Sequence, residues 1–154
     1  MTDVRAKLAE LGLTLPVASK PIAAYLPAVR TGNLVFTAGQ LPLVDGKISL
    51  TGKVGGAVTV EAAKELAQVC ALNCLSAVAT VANVDDIVRI VRVVGYVNGV
   101  PGFINQPAVV NGVSELFVHI WGEDGKHARS AVGIAELPLD SPVEVELTVE
   151  LRGN

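Results

Sequence analysis

The side chains best suited to chemistry lie on two segments near the carboxyl end of the chain. Arg129 stands at the start of the apolar run "ARSAVGI", where a neutral residue would carry no electrostatic cost. A guanidinium can hold a carboxylate through two parallel hydrogen bonds, because its donors form a planar fork. The position of Arg129 therefore predicts a polar or anionic partner, within the chain or on a ligand.

The second segment, residues 142–151, alternates between apolar and polar positions, as a strand with two different faces does. Its apolar positions are Val143, Val145, Leu147, Val149 and Leu151, and its polar positions are Glu144, Glu146, Thr148 and Glu150. Carboxylates on one strand face repel each other unless water or a cation intervenes. One interpretation is a solvated face, or ion pairs with Arg129, Arg89 or Arg92. The other is a cleft shared by Arg129 and one glutamate, which would position or deprotonate a water.

The remaining reactive residue types give weaker signals. Cys70 and Cys74 are four apart in a helical stretch, which suits a disulfide poorly and favours two small core residues over a zinc site. His119 is expected to pack or to lie on a helix surface. His127, two residues before Arg129, is a loop residue at the possible rim of a cleft. The sequence nominates no serine or cysteine partner for either histidine, and we expect no metal and no cofactor.

Composition limits the classes of protein that this chain can be. Its 154 residues fit one domain, residues 1–154, and with 51% hydrophobic and 18% charged residues disorder is not expected. No apolar run reaches the ~18 residues of a membrane span, and the first residues lack an apolar signal region, so we expect a cytoplasmic protein without a membrane partner. The net charge of −3 argues against nucleic acid as a partner.

Hydrophobic periodicity and turn residues predict the order of the elements. We predict helices at 2–11, from Thr59 to about 81, and at 104–121; a loop at 15–21; a hairpin around Thr31-Gly32-Asn33; a short edge strand at 47–50; and strands at about 85–97, 129–135 and 142–151. This order is typical of an α+β fold in which two helices cross over one face of a single sheet.

One strand of this plan does not alternate. Its apolar residues are Ile87, Val88, Ile90, Val91, Val93 and Val94, interrupted by Arg89 and Arg92. Two helices can cover only one face of a sheet, so a strand that is apolar on both faces predicts a second subunit against the other face. The alternative is an additional local layer, for which the chain has few residues left.

Three stretches carry a resemblance to a known family. "ARSAVGIAELPLDSPVEVEL" resembles the C-terminal signature of the RidA/YjgF family, also called endoribonuclease L-PSP. "GNLVFTAGQLP" is similar to the N-terminal hairpin of that family, and "VVNGVSELF" to its second-helix segment. The similarity covers about residues 20–151, and the form of the second-helix region resembles a distinct long branch of the family.

The resemblance implies a chorismate-mutase-like α+β fold and a homotrimer with clefts between subunits. It also implies hydrolysis of reactive enamines and imines to keto acids and ammonia. By position, Arg129 matches the carboxylate-binding arginine and Glu144 the water-positioning glutamate. Tyr25, Gly39 and Asn111 match residues of the substrate cleft.

Two positions depart from the best-known members of the family, and three functions remain open. Ala38 stands where those members have serine, and Ala131 where they have cysteine. The first function is an imine and enamine hydrolase acting on small carboxylates. The second is a module that binds a small carboxylate or a partner protein without turnover, which the two alanines favour. The third is a ribonuclease, which the negative charge and the few aromatic residues disfavour.

Overall fold

The structure, a computed structural model, describes residues 1–18 and 23–153. Part of the loop predicted at 15–21 therefore lies outside the described residues. Within them the α-helices are α1 (Val4–Ala9), α2 (Val60–Val78) and α3 (Gln106–Trp121). The strands are β1 (Ala28–Thr31), β2 (Leu34–Thr37), β3 (Leu43–Val44), β4 (Lys47–Ile48), β5 (Ile87–Asn98), β6 (Ala128–Ile134) and β7 (Val143–Leu151). None of the helices formed by these residues is long and apolar enough to cross a membrane.

Five strands form one mixed sheet in the order β1-β2-β7-β5-β6. The pairs are antiparallel except for β5 and β6, which run parallel and are connected through α3. Helix α2 packs against β7 and β2, and α3 packs against β5 and β6. The predicted α+β plan is confirmed, with α2 and α3 over one face of the five-stranded sheet; β3 and β4 form a second, two-stranded sheet outside the predicted plan.

Local sequence explains where several of these elements begin and turn. The hydroxyl oxygen of Thr59 accepts a hydrogen bond from the amide of Ala62 and so caps α2, as predicted. Gly32 takes a positive φ of 58° in the turn between β1 and β2. Strands β3 and β4, two residues each, pair only with each other across Asp45-Gly46. The short strand predicted at 47–50 forms at Lys47–Ile48, in a hairpin with β3 that is separate from the five-stranded sheet.

Two glycines allow α3 to pack closely, one against the sheet and one against α2. A Cβ on Gly95 of β5 would lie 2.8 Å from Cγ1 of Val110, so the glycine leaves room for this side chain. A Cβ on Gly112 would lie 3.0 Å from the carbonyl carbon of Lys64, which allows α2 and α3 to approach closely. Asn111 stands between these two contacts. Its position relative to β6 is thus determined by backbone packing.

The irregular pattern of β5 comes from two β-bulges. The register against β7 shifts twice, and Val88 and Val91 have no direct partner there. Three apolar residues of the run face the helices and are buried, namely Ile87, Ile90 and Val93. Val94 faces the other way, opposite Glu146, and is 7% exposed. The strand therefore has apolar residues on the helix face and a mixture of Arg89, Arg92 and Val94 on the other face, and the oligomer stays a prediction.

Candidate functional site

Arg129 is held by two oxygen atoms of α3. One of its terminal nitrogens, Nη1, donates to Oδ1 of Asn111 at 2.8 Å and to Oγ of Ser114 at 3.1 Å. Both acceptors are neutral, so the positive charge of the half-buried guanidinium has no carboxylate partner among the described residues. Asn111, the polar residue that the family resemblance suggested, does lie beside Arg129.

The side chain of His127 extends the hydrogen bonds around Arg129. His127 lies with Nε2 3.0 Å from Oγ of Ser114 and Nδ1 2.7 Å from the carbonyl oxygen of Gly125. Burial lowers the pKa of His127, the bond to Gly125 acts in the opposite direction, and the charge of Arg129 lowers the pKa further. The sequence nominated no serine partner for either histidine, and the structure supplies Ser114 as the partner of His127. Ser114 follows Asn111 by three residues, so both share one helix face, and this spacing was the signal in the sequence.

Glu144 belongs to a second group of residues. Its carboxyl group lies directly over Gly39, where a Cβ would be 3.0 Å from Cδ of the glutamate. Burial and the like charge of Glu146, next along the same strand face, raise the pKa of Glu144 above its ordinary value. A carboxylate with a raised pKa is a better proton acceptor than an ordinary surface glutamate.

One tyrosine pairs with Glu144 across the sheet, and a second belongs to the segment that precedes Pro27. Tyr96 of β5 stands opposite Glu144 in the strand register, and burial together with the carboxylates of Glu146 and Glu144 raises its pKa. Tyr96 was missed by the sequence interpretation because its face of β5 depends on the bulges. Tyr25 is 57% exposed, and the bond from the amide of Ala38 to the carbonyl of Pro27 places its segment beside Gly39.

Arg129 and Glu144 lie on opposite faces of the sheet. Arg129 pairs with Val93, which pairs with the buried Leu147 on the face covered by the helices. Glu144 pairs with Tyr96 on the uncovered face. Two strand spacings also separate β6 from β7, about 10 Å. One chain therefore brings Arg129 together with Asn111, and Glu144 together with Gly39, but it does not bring Arg129 and Glu144 into one cleft.

Other interpretations of the charged and reactive residues can be compared with the structure. Within residues 1–18 and 23–153, no ion pair joins an arginine to a glutamate of β7, so the carboxylates of β7 form a partly solvated face. Cys70 and Cys74 are free and buried, as expected; burial raises the pKa of both thiols, that of Cys74 to about 12. His119 contacts the carbonyl of Lys7 on α1 and the carboxylate of Glu10, the residue after α1, which agrees with the expectation that it packs or lies on a helix surface.

Comparison with known proteins places this chain in a family. Residues 5–151 match the model of the family described as "YjgF/chorismate_mutase-like, putative endoribonuclease". The chain belongs to this family. The recognition made from the C-terminal signature and the N-terminal hairpin is confirmed.

The relatives of this chain within the family have several names. Protein TCP17 of Trypanosoma cruzi is 39% identical over 97% of this chain and 94% of its own. The crystal structure of Atu1372 from Agrobacterium tumefaciens, a protein of unknown function, is 43% identical with a TM-score of 0.88, covering 96% of this chain and 92% of that one. A 2-iminobutanoate/2-iminopropanoate deaminase of Dermatophagoides farinae is 28% identical over 91% and 95% of the two chains. Escherichia coli TdcF, solved with bound serine, is 26% identical over 86% and 92%, with a TM-score of 0.61.

The two alanines that depart from the family pattern lie in different surroundings. Ala131 is partly buried and packs against the core on the same face of β6 as Arg129. Ala38 precedes Gly39 and is also partly buried. Each position therefore contributes a methyl group near one of the two groups of site residues.

Proposed function

We propose that this protein hydrolyses small imines and enamines that carry a carboxylate, at sites between the subunits of a homotrimer. One observation carries the proposal: Arg129 is half-buried, held through Nη1 by Asn111 and Ser114, and has no counterion among the described residues. A guanidinium that is held in place but not neutralised is suited to an anionic ligand. A substrate carboxylate would be that ligand.

A site between subunits follows from the two faces of the sheet. Arg129 and Glu144 cannot act on one small molecule within a single chain, because they project from opposite faces of strands two positions apart. Assembly would place the Arg129 group of one subunit against the Glu144 group of another. This geometric argument supports an oligomer independently of the pattern of β5.

The chemistry needs few catalytic groups. Water adds its oxygen to the electrophilic imine carbon while Glu144 takes one of its protons and passes a proton to the imine nitrogen. The resulting carbinolamine then loses ammonia: its hydroxyl proton is transferred to the amino nitrogen, the C–N bond breaks, and a keto acid remains. Atoms balance as imine plus water giving keto acid plus ammonia, with no oxidation. Arg129 contributes orientation, and Glu144 contributes a positioned water and a proton acceptor with a raised pKa.

The relatives support a small substrate of this class. One family member is a deaminase of 2-iminobutanoate and 2-iminopropanoate, both of which carry a carboxylate. TdcF, a more distant one in structure, has been seen with serine, also a carboxylate. These similarities motivate the choice of substrates for a test of this chain.

The test is an assay that generates 2-iminopropanoate with an amino-acid oxidase or a lyase and follows keto-acid release. We expect the protein to accelerate release, and both Arg129→Ala and Glu144→Gln to lose the acceleration. Arg5→Ala, which removes an exposed arginine of α1, is the matched control and should behave as wild type. Release at the uncatalysed rate with wild-type protein would contradict the proposal.

A second candidate is a carboxylate-binding module without turnover, which the methyl groups of Ala38 and Ala131 favour. Calorimetry with pyruvate and 2-oxobutanoate measures binding apart from chemistry. Binding that depends on Arg129, together with no acceleration of imine hydrolysis, would support this function in place of the hydrolase.

A further inference from the structure

Behind Arg129 lies a continuous chain of hydrogen bonds that ends on the backbone. It runs from the carbonyl of Gly125 through the ring of His127 and the hydroxyl of Ser114 to Nη1 of Arg129. The ring of His127 also packs edge-on against Phe117, with 6.1 Å between the ring centres. Both ring nitrogens and one face of the ring are thus in defined contacts.

The backbone end determines the direction of every bond. A carbonyl oxygen only accepts, so Nδ1 of His127 carries the hydrogen that points at Gly125. In the neutral ring Nε2 is then an acceptor, and it receives the hydroxyl hydrogen of Ser114. The lone pairs of Ser114 are left for Arg129, whose Nη1 donates to them. The lowered pKa of His127 favours this neutral form.

The arrangement also selects which edge of the guanidinium is free. The two hydrogens of Nη1 are taken by Asn111 and Ser114, while Nε and Nη2 of Arg129 have no acceptor in the described residues. These two nitrogens form one of the forks that can bind a carboxylate side-on. Arg129, Ser114 and His127 line a surface pocket of about 190 Å³ with Val118 and Lys126. Lys126 is paired with Glu123 at 2.7 Å.

We propose that Ser114 and His127 are positioning residues that fix Arg129 so that its Nε–Nη2 edge receives the substrate carboxylate. This inference rests on the proposed function, since it concerns the same arginine. Both act through Arg129, by holding Nη1 on the side of α3 and preventing the guanidinium from rotating.

The first test measures pyruvate affinity by calorimetry for variants of the two residues. Ser114→Ala and His127→Leu remove a link of the chain and should each weaken binding about fivefold or more. Ser114→Thr restores the hydroxyl, and His127→Gln restores an acceptor at the ε position, so both should recover most of the affinity. His119→Gln, which changes the histidine within α3 whose ring contacts Lys7 and Glu10, is the matched control and should bind as wild type. In an Arg129→Lys background, Ser114→Ala should have no further effect.

The second test observes the proposed edge directly. In a nitrogen-15 correlation spectrum, the Nε–H signal of Arg129 is identified by its absence in Arg129→Lys. Addition of pyruvate should shift this signal in wild type. Pyruvate binding that leaves the signal in place would show that another edge is used and would overturn the inference.

The outcomes separate this inference from the proposed function. If wild type does not bind pyruvate, the proposed function fails and the inference fails with it. If wild type binds, Arg129→Ala does not, and Ser114→Ala and His127→Leu bind as tightly as wild type, the proposed function stands and the positioning role is wrong. Loss in Ser114→Ala with recovery in Ser114→Thr supports the inference.

Discussion

Replacing Gly39 with alanine should displace Glu144 and leave the fold intact. The added Cβ would lie 3.0 Å from Cδ of Glu144 and closer still to Oε1. Carbon atoms pack at about 3.5–4.0 Å, so the carboxyl group must retreat by roughly 0.5–1 Å. The obstacle is the end of a flexible side chain, and Gly39 has a backbone conformation open to other residues. The substitution should therefore displace the carboxyl group of Glu144 without lowering the stability of the fold.

The expected cost falls on turnover. A displacement of about 1 Å at a catalytic group can slow a reaction on the order of 100-fold, equal to about 2.7 kcal/mol of barrier. We expect Gly39→Ala to lower kcat for 2-iminopropanoate hydrolysis by about 10- to 100-fold. Pyruvate affinity should stay within about threefold, because Arg129 lies on the other face of the sheet.

The assay is keto-acid release at saturating imine, with calorimetry and thermal unfolding on the same samples. Gly153→Ala, whose added Cβ would meet nothing closer than 3.4 Å, is the control. In a Glu144→Gln background, Gly39→Ala should add little, since both changes act on one group. Full activity in Gly39→Ala would refute the role of Glu144 in its observed position. An equal loss in both backgrounds would show that the methyl group blocks the ligand directly.

Four further outcomes are expected. Arg129→Ala should cost about 2–5 kcal/mol of carboxylate binding, and Arg129→Lys should already be damaging, as calorimetry would show; wild-type affinity in Arg129→Ala would make this arginine structural. Light scattering should give about three times the chain mass of 15.9 kDa, and a monomer at micromolar concentration would remove the site between subunits. Purified protein should not degrade single-stranded RNA, because its net charge is −3; degradation that Arg129→Ala abolishes would contradict this. Because the pKa of Glu144 is raised, the folded chain binds the proton of this carboxyl group more tightly than the unfolded chain does. Proton binding therefore stabilises the fold below pH 4.5, and this contribution is lost as the pH rises through the pKa of the folded state. Glu144→Gln should thus be more stable than wild type at pH 7 and equal to it below pH 4.5 in chemical denaturation, and the opposite order would refute the shift.

Local patterns in the sequence were sufficient to predict most of the elements. The alternation over 142–151 predicted β7 within one residue, because a strand that is buried on one face repeats every two residues. Thr59 marked the start of α2, because an exposed first turn needs a side-chain acceptor. The family signature then supplied the arrangement of the sheet and the types of residue at the site.

Strand β5 shows where local pattern is insufficient. Its apolar run, interrupted by Arg89 and Arg92, gave no sign of the two bulges that take Val88 and Val91 out of the register against β7. A bulge exists only relative to the paired strand, here β7, so its position is not written in the bulged segment itself. The face taken by Tyr96, and with it the neighbourhood of Glu144, follows from the same pairing.

The sequence by itself determined that this chain has an arginine and a glutamate of the required types, each at a recognisable place in a strand. Only the tertiary structure decided what those side chains meet. The register across β6, β5 and β7 puts Arg129 and Glu144 on opposite faces, which is why the proposed site calls for a second subunit. The packing of α3 over Gly95 and against α2 brings Ser114 and His127, thirteen residues apart, into one hydrogen-bond chain behind Arg129. Both results depend on contacts between segments distant in sequence, where burial and close packing rather than local propensity select the arrangement.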